Sequence, residues 1–288
     1  WASWRDLVNG GAWGGRTGII VGKAWGRFVR FKRDGAALVY APMGKGKGVG
    51  IVVPNLLDHQ GAVVVTDPKG ENFAVTGRYR ASIGPLYRLD AISPEESDRF
   101  NPLSMIRAGT IHEADDAAQI ADLLVIPESS EGHWDTSARA FITAVIRHVI
   151  ATQPPELQTL AMVRELIAAD TARLRHLLDA MARSPLPSVA EEARATLAGL
   201  DTDEAKSVVK NAAKALAFWS KDRIGGRLSA ASDFDFMDLH RGAVSVYIMV
   251  PDDALSVYAP FLRVMMGCAV AARMRGKSRS RSSVTRQE

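Results

Sequence analysis

Sulfur and imidazole ligands are scarce in this chain. Cys268 is the single cysteine among 288 residues, so no internal disulfide and no cysteine-rich metal site can form, a usage that suits a reducing compartment. His133, His148, His176 and His240 stand isolated, with no second His or Cys at ligand spacing, and each reads as a packing or surface residue. No uninterrupted apolar run approaches the roughly eighteen residues needed to span a bilayer, and no secretory signal is visible, so the chain as it stands reads as soluble. A large charge imbalance is missing too. The formal net charge is +4, and much of it lies beyond Arg273 in a basic, serine-rich stretch suited to loose contact with phosphate backbones or to plain disorder. What remains is the composition of a folded globular chain, 47% hydrophobic and long enough to bury roughly three-quarters of its unfolded surface.

The most informative stretch runs from Tyr40 to Gly50, where Gly44, Gly46, Gly48 and Gly50 alternate with Lys45 and Lys47. Ahead of it, residues 37–41 are short, apolar and partly β-branched, which predicts a buried strand. After it, residues 49–57 can start a helix that tolerates Pro54 near its first turn. A strand, a glycine-rich turn and a helix N-terminus gather backbone N–H groups where the helix dipole also favours negative charge. Met43, Gly44, Lys45, Gly46, Lys47, Gly48 and Val49 are therefore the candidate phosphate cradle, with Lys47 placed to reach the β and γ phosphates of a nucleotide. Two positions depart from the G-x-x-x-x-G-K-[ST] pattern. Ala41 replaces the first glycine, and Gly48 replaces the hydroxyl residue that binds magnesium.

Residues 61–67 form a β-branched run that stops at Asp67-Pro68, which predicts a buried parallel strand. Ligands collect at the carboxyl ends of such strands, so Asp67, Lys69 and Glu71 are expected on the rim that carries the phosphate loop. Asp67 is the candidate metal residue. Asp252 and Asp253 follow a second run, 243–250, but Pro251 reads as a strand exit into a turn. Between about 105 and 222 apolar residues recur at helical spacing, with Asp170-Thr171 and Asp201-Thr202-Asp203-Glu204 as helix starts. Lys206, Lys210 and Lys214 share one helix face, a stripe for DNA phosphates or simply for solvent. Trp1, Trp4, Trp13 and Trp25 crowd the first 25 residues, either as a membrane-interface belt or as packing in a small β-rich region.

The ordered blocks Ala41 to Leu57, Asp67-Pro68-Lys69-Gly70-Glu71, Phe100-Asn101-Pro102-Leu103, Trp134-Asp135-x-x-Ala138-Arg139, Ser232 to Asp235 and Arg241 to Pro251 resemble the TraG-type coupling proteins of type IV secretion and conjugation. The resemblance runs from about residue 17 to about residue 275. It implies an α/β, RecA-like P-loop parallel sheet with an inserted all-α domain. It further implies ATP and Mg2+ as cofactors and a homo-hexamer at the cytoplasmic face of the bacterial inner membrane. The parent would hand relaxase–DNA complexes or protein effectors to secretion-channel components. On that reading, 1–35 is a β-rich opening region after an absent membrane anchor and 36–104 the first part of the nucleotide-binding domain. Residues 105–222 are the mostly all-α insertion, 223–275 the return to the nucleotide-binding domain, and 276–288 a basic disordered tail. Lys47 and Glu71 are the catalytic candidates, Glu71 as the carboxylate that orients the attacking water or, alternatively, as a helix-capping or salt-bridging residue. The Walker B strand, an apolar run ending in Asp-Glu, is missing from the expected place. Two readings follow: the nucleotide-binding part of an ATPase motor, and a non-catalytic docking module with little or no hydrolysis.

Overall fold

The computed structural model describes residues 3–14, 17–32, 35–40, 42, 44–126 and 133–284. Helix α1 (Trp4–Asn9) opens on a reciprocal cap in which Asp6 N donates to Ser3 Oγ at 3.3 Å and Ser3 N donates back to the Asp6 carboxylate at 2.7 Å. Strands β1 (Ile19–Ala24) and β2 (Arg27–Phe31) form an antiparallel hairpin. Its two-residue tip, Trp25-Gly26, has φ of 46° and 78°, the pair of positive angles that matches the right-handed twist of the flanking strands.

Helix α2 (Val53–Asp58) is preceded by a π-helical turn, Gly48–Val52. Pro54 explains the widening: it has no N–H to give, and its ring would press on a carbonyl of the preceding turn if the winding were strictly α. Two side chains then bolt α2 to the hairpin. Asn55 pairs with the Ile20 backbone as a strand would, accepting from Ile20 N at 2.7 Å and donating to Ile20 O at 2.8 Å, and also donates to Ile51 O at 2.7 Å. Asp58 takes both ends of the buried Arg30 guanidinium, at 2.6 and 2.8 Å.

Strand β3 (Val63–Thr66), helix α3 (Glu71–Ile83) and strand β4 (Leu86–Asp90) follow. The chain then enters a helical segment comprising α4 (Glu113–Leu124), α5 (His133–Thr152), α6 (Leu160–Ile167), α7 (Thr171–Met181), α8 (Pro187–Gly199) and α9 (Asp203–Ala215). The predicted helix starts hold: Asp170 accepts from Arg173 N at 3.0 Å and Thr202 from Ala205 N at 3.2 Å. After the short α10 (Ile224–Leu228), strand β5 (Ser245–Met249) returns to the sheet and α11 (Leu255–Val284) ends the fold.

The sheet is parallel with the order β3-β5-β4, so the last strand in the chain is central, and every residue of β5 is buried. Arg80, fully buried on α3, ties its elements together. Its Nε donates to Ser245 Oγ at 2.7 Å, one terminal nitrogen to Gly61 O at 2.6 Å, and the other to His59 O and to Leu56 O at the carboxyl end of α2. Burial pulls its pKa down from the ordinary arginine value. Carbonyl dipoles and the negative end of α2 supply the compensation, with no carboxylate among its partners.

Three expectations change. Residues 36–40 form no strand: among the described residues nothing pairs with them, and Leu38 and Tyr40 are 95% and 96% exposed. Apolar, β-branched composition marks a segment able to be a strand, but the ladder partner decides. The basic tail expected from 276 begins as helix, since α11 runs to Val284. The stretch Asp252–Gly276 is also long and apolar enough to cross a membrane by length and composition, which an uninterrupted-run criterion misses because Arg263 and Arg273 punctuate it. Its Phe261, Val264, Met265, Cys268 and Ala272 pack in the core beside the sheet and the helical segment.

Arg80→Leu should leave three carbonyls without a donor in the interior and cost more than about 3 kcal/mol, read by urea unfolding. The Arg30 hydrogen bonds hold the Asp58 carboxyl below its ordinary pKa. Because the folded value is the lower one, this pair stabilises the fold above the unfolded carboxylate range, about 3.9, and is lost as pH falls through the folded value. Between pH 6 and 3 the Tm of the unaltered chain should therefore fall further than that of Asp58→Asn.

Candidate phosphate-binding loop

The loop lies between segment 36–40, which carries no regular secondary structure, and the π turn. Gly44 and Gly46 both adopt left-handed backbone, φ of 74° and 78°, a conformation that side-chain-bearing residues avoid. An added Cβ at Gly44, Gly46 or Gly48 would meet nothing within 4 Å, so the space beside these three glycines is open. Gly50 N donates to Gly46 O at 2.7 Å, closing the first turn around the loop, and the amides of Gly48 and Val49 begin the helix, where no acceptor precedes them within it. Lys47 caps that helix, and its Nζ donates to Pro42 O at 3.0 Å. Lys45 is exposed, as expected. Met43, the first residue of the expected cradle, and Ala41 lie outside the described residues.

The second half of the expected site sits on the carboxyl rim of the sheet. Asp67 follows β3, is buried, and spends its carboxylate on the start of α3: Phe73 N donates at 2.8 Å and Asn72 Nδ2 at 3.1 Å. It caps a helix N-terminus whose leading residue, Glu71, is exposed, its carboxylate making no hydrogen bond or ion pair among the described residues. Gly70 turns the corner at φ 70°, against Met249 Sδ at the end of β5. Lys69 reaches across the rim to Asp252 at 3.2 Å, which occupies the acid after the second apolar run.

Neither Asp67 nor Glu71 is bonded to Lys47. A groove of about 790 Å³ runs between the hairpin, the π turn and β3, lined by Ile51 and Val52 and by Val63 to Thr66, and none of the loop glycines, Lys47, Asp67 or Glu71 lines it. The described residues contain no group of three or more His, Cys, Asp or Glu arranged to hold a metal. The open turn fits a phosphate tail, whereas the protein residues do not by themselves make a divalent-cation site.

Sequence reasoning missed Asn55 and Arg80, which hold the loop's helix from its two ends. Asn55 directly follows Pro54 in a helix too short to show a face, and Arg80 reads as one more surface cation of α3. Four arginines outside the loop are engaged within the chain. Arg263 donates to Leu123 O and Leu124 O at the end of α4, Arg227 pairs with Glu95 at 2.9 Å, Arg139 with Asp122 at 3.4 Å, and Arg223 lies over the Phe218 ring.

Comparison with known proteins agrees with this architecture. A conjugal transfer protein TraG of Escherichia coli is 31% identical over 285 residues, which is 92% of this chain and 44% of that protein. The protein VirD4 of Agrobacterium fabrum is 28% identical over 255 residues, 86% of this chain and 37% of its own length. The chain thus spans less than half the length of these relatives. Among solved structures, the bacterial conjugative coupling protein TrwBΔN70 superposes with a TM-score of 0.56 at 15% identity, over 80% of this chain and 49% of the other. The plasmid coupling protein TrwB in complex with ADP and Mg2+ gives the same TM-score of 0.56 and identity of 15%, over 80% and 50% of the two chains. These likenesses show the fold to be the α/β, RecA-like one of the coupling proteins. The family described as type IV secretory system conjugative DNA transfer matches residues 1–284, and the chain belongs to it.

Proposed function

We propose that this chain is the nucleotide-binding part of a type IV secretion coupling protein, and that residues 44–49 hold the phosphates of ATP. The observation that carries the reading is the turn itself: two glycines in left-handed backbone, open space beside the glycines and a helix N-terminus follow one another within six residues. The TrwB complex with ADP and Mg2+ supports it by fold.

Gly48 and Val49 amides donate to phosphate oxygens, and the Lys47 ammonium exchanges the Pro42 carbonyl for the β and γ oxygens. Asp67 holds the start of α3 so that Glu71 stays at a fixed corner of the rim, exposed and able to order a water. When bound, ATP supplies the phosphoanhydride whose cleavage powers the cycle. A magnesium ion would be held by the phosphates and by water, with Asp67 the nearest protein carboxylate to the end of β3, since Gly48 offers no hydroxyl. In the parent protein, a hexamer at the inner membrane, this cycle moves relaxase–DNA complexes or protein effectors toward the secretion channel. The helical segment α4–α9 receives them. A second reading, a docking module with weak or no hydrolysis, is favoured by the commitment of the Asp67 carboxylate to Phe73 N and Asn72 Nδ2.

Lys47→Ala should weaken binding of a fluorescent ATP analogue at least tenfold without lowering Tm, and unchanged affinity would remove the loop from the reading. Glu71→Gln in the full-length protein should keep nucleotide affinity and lose most ATP turnover. Undiminished turnover would leave Glu71 no part in hydrolysis.

A further inference from the structure

The hairpin tip carries an energetic anomaly. Trp25 is the only described residue other than glycine with positive φ, 46°, a conformation that asparagine or glycine adopts cheaply and that a bulky side chain adopts at a cost. The indole gains little burial in return, being 63% exposed. A costly conformation that leaves a large apolar group in water points to something outside the chain that the group meets.

Its surroundings say what kind of surface that is. Trp13 Nε1 donates to Ala24 O at 3.1 Å, the Trp13 ring lies 6.1 Å from that of Trp4, and the Arg27 guanidinium stacks over Trp13 at 4.7 Å. Trp4 and Phe28 are 52% and 42% exposed. Trp4, Trp13 and Arg27 thus stack on one face of the hairpin beside the tip, while Lys23 and Phe28, paired across the strands, stand on the other. Residues 19–31 include Lys23, Arg27 and Arg30 and no Asp or Glu, and among the described residues Arg30 alone of these three has a carboxylate partner, Asp58. Exposed indoles with unopposed cations match the boundary of a bilayer, where Trp sits at headgroup depth and each nearby Lys or Arg adds attraction to anionic lipid. The aliphatic share, Val21 at the hairpin and Val8 on α1, also exposed, favours a lipid boundary over stacked bases, which would ask for more cations along a backbone track.

The structure assigns the Trp25 tip, with Trp4, Lys23, Arg27 and Phe28, as a docking surface for an anionic lipid bilayer. Because α2 is bolted to this hairpin through Asn55 and Asp58, the docked surface would set the orientation of the phosphate loop toward the membrane. Lipid binding is measured without nucleotide, so its failure is separate from failure of the ATP reading.

The test is flotation of the 288-residue chain with phosphatidylcholine vesicles that contain or lack phosphatidylglycerol. The unaltered chain should float with the anionic vesicles and remain in the dense fraction with neutral ones. Trp25→Asn, which suits the turn, should keep or raise Tm while lowering the bound fraction at least fivefold. The double variant K23E/R27E should lose about fivefold or more for each cation. Equal flotation with both vesicle types, wild-type flotation of Trp25→Asn, or no flotation at all would overturn the assignment. Quenching of tryptophan fluorescence by a single-stranded oligonucleotide, abolished in Trp25→Asn while vesicles have no effect, would overturn it in favour of a nucleic acid.

Discussion

A fully buried guanidinium with no counter-ion among the described residues holds the sheet half of this molecule together. Arg80 takes carbonyls from the end of α2 and from the chain entering β3, and a hydroxyl from the first residue of β5. Those three places are the back of the phosphate-loop helix, the strand that follows it and the central strand of the sheet. An apolar residue there would leave the carbonyls orphaned, and a lysine would reach them with one point instead of a planar fork. The distance between the loop and the sheet is therefore fixed from behind, by one side chain placed on a third element.

The front of the same short helix is held by a different chemistry. Asn55 imitates a strand edge toward Ile20, and Asp58 closes on Arg30. Just ahead of these supports lies the π turn that Pro54 requires, with Asn55 Nδ2 bonded to Ile51 O inside it. A helix of six residues cannot sustain itself by propagation alone. Its order comes from being clamped at both ends, which suits a segment that must present amides at one fixed point.

Much of this was legible in the residues, and the illegible parts share a cause. The alternating glycines and the apolar run ending at Asp67 each report a backbone need that local sequence can express. So do the capped starts at Asp170 and Thr202. Segment 36–40 and strand β4 are the opposite case. Residues 36–40 have the apolar composition of a strand and no partner, whereas β4 contains Arg88 and Tyr87 and becomes a strand because β5 runs beside it. Pairing is a property of two segments, and no window along one of them contains it. Asp67 shows the same limit at the site: its position on the rim follows from the strand, but its commitment to Phe73 N and Asn72 follows from how α3 begins.

The sheet's order also has a consequence for how the chain comes into being. β4 ends at Asp90 and β5 begins at Ser245, so during synthesis the two flanking strands emerge long before the strand that joins them. The helical segment, rich in local contacts, can collapse on its own in the interval, whereas β3 and β4 must wait with open edges. The ribosome thus delivers the keystone last, and the nucleotide half assembles only once the polypeptide beyond the insertion has threaded back between its neighbours.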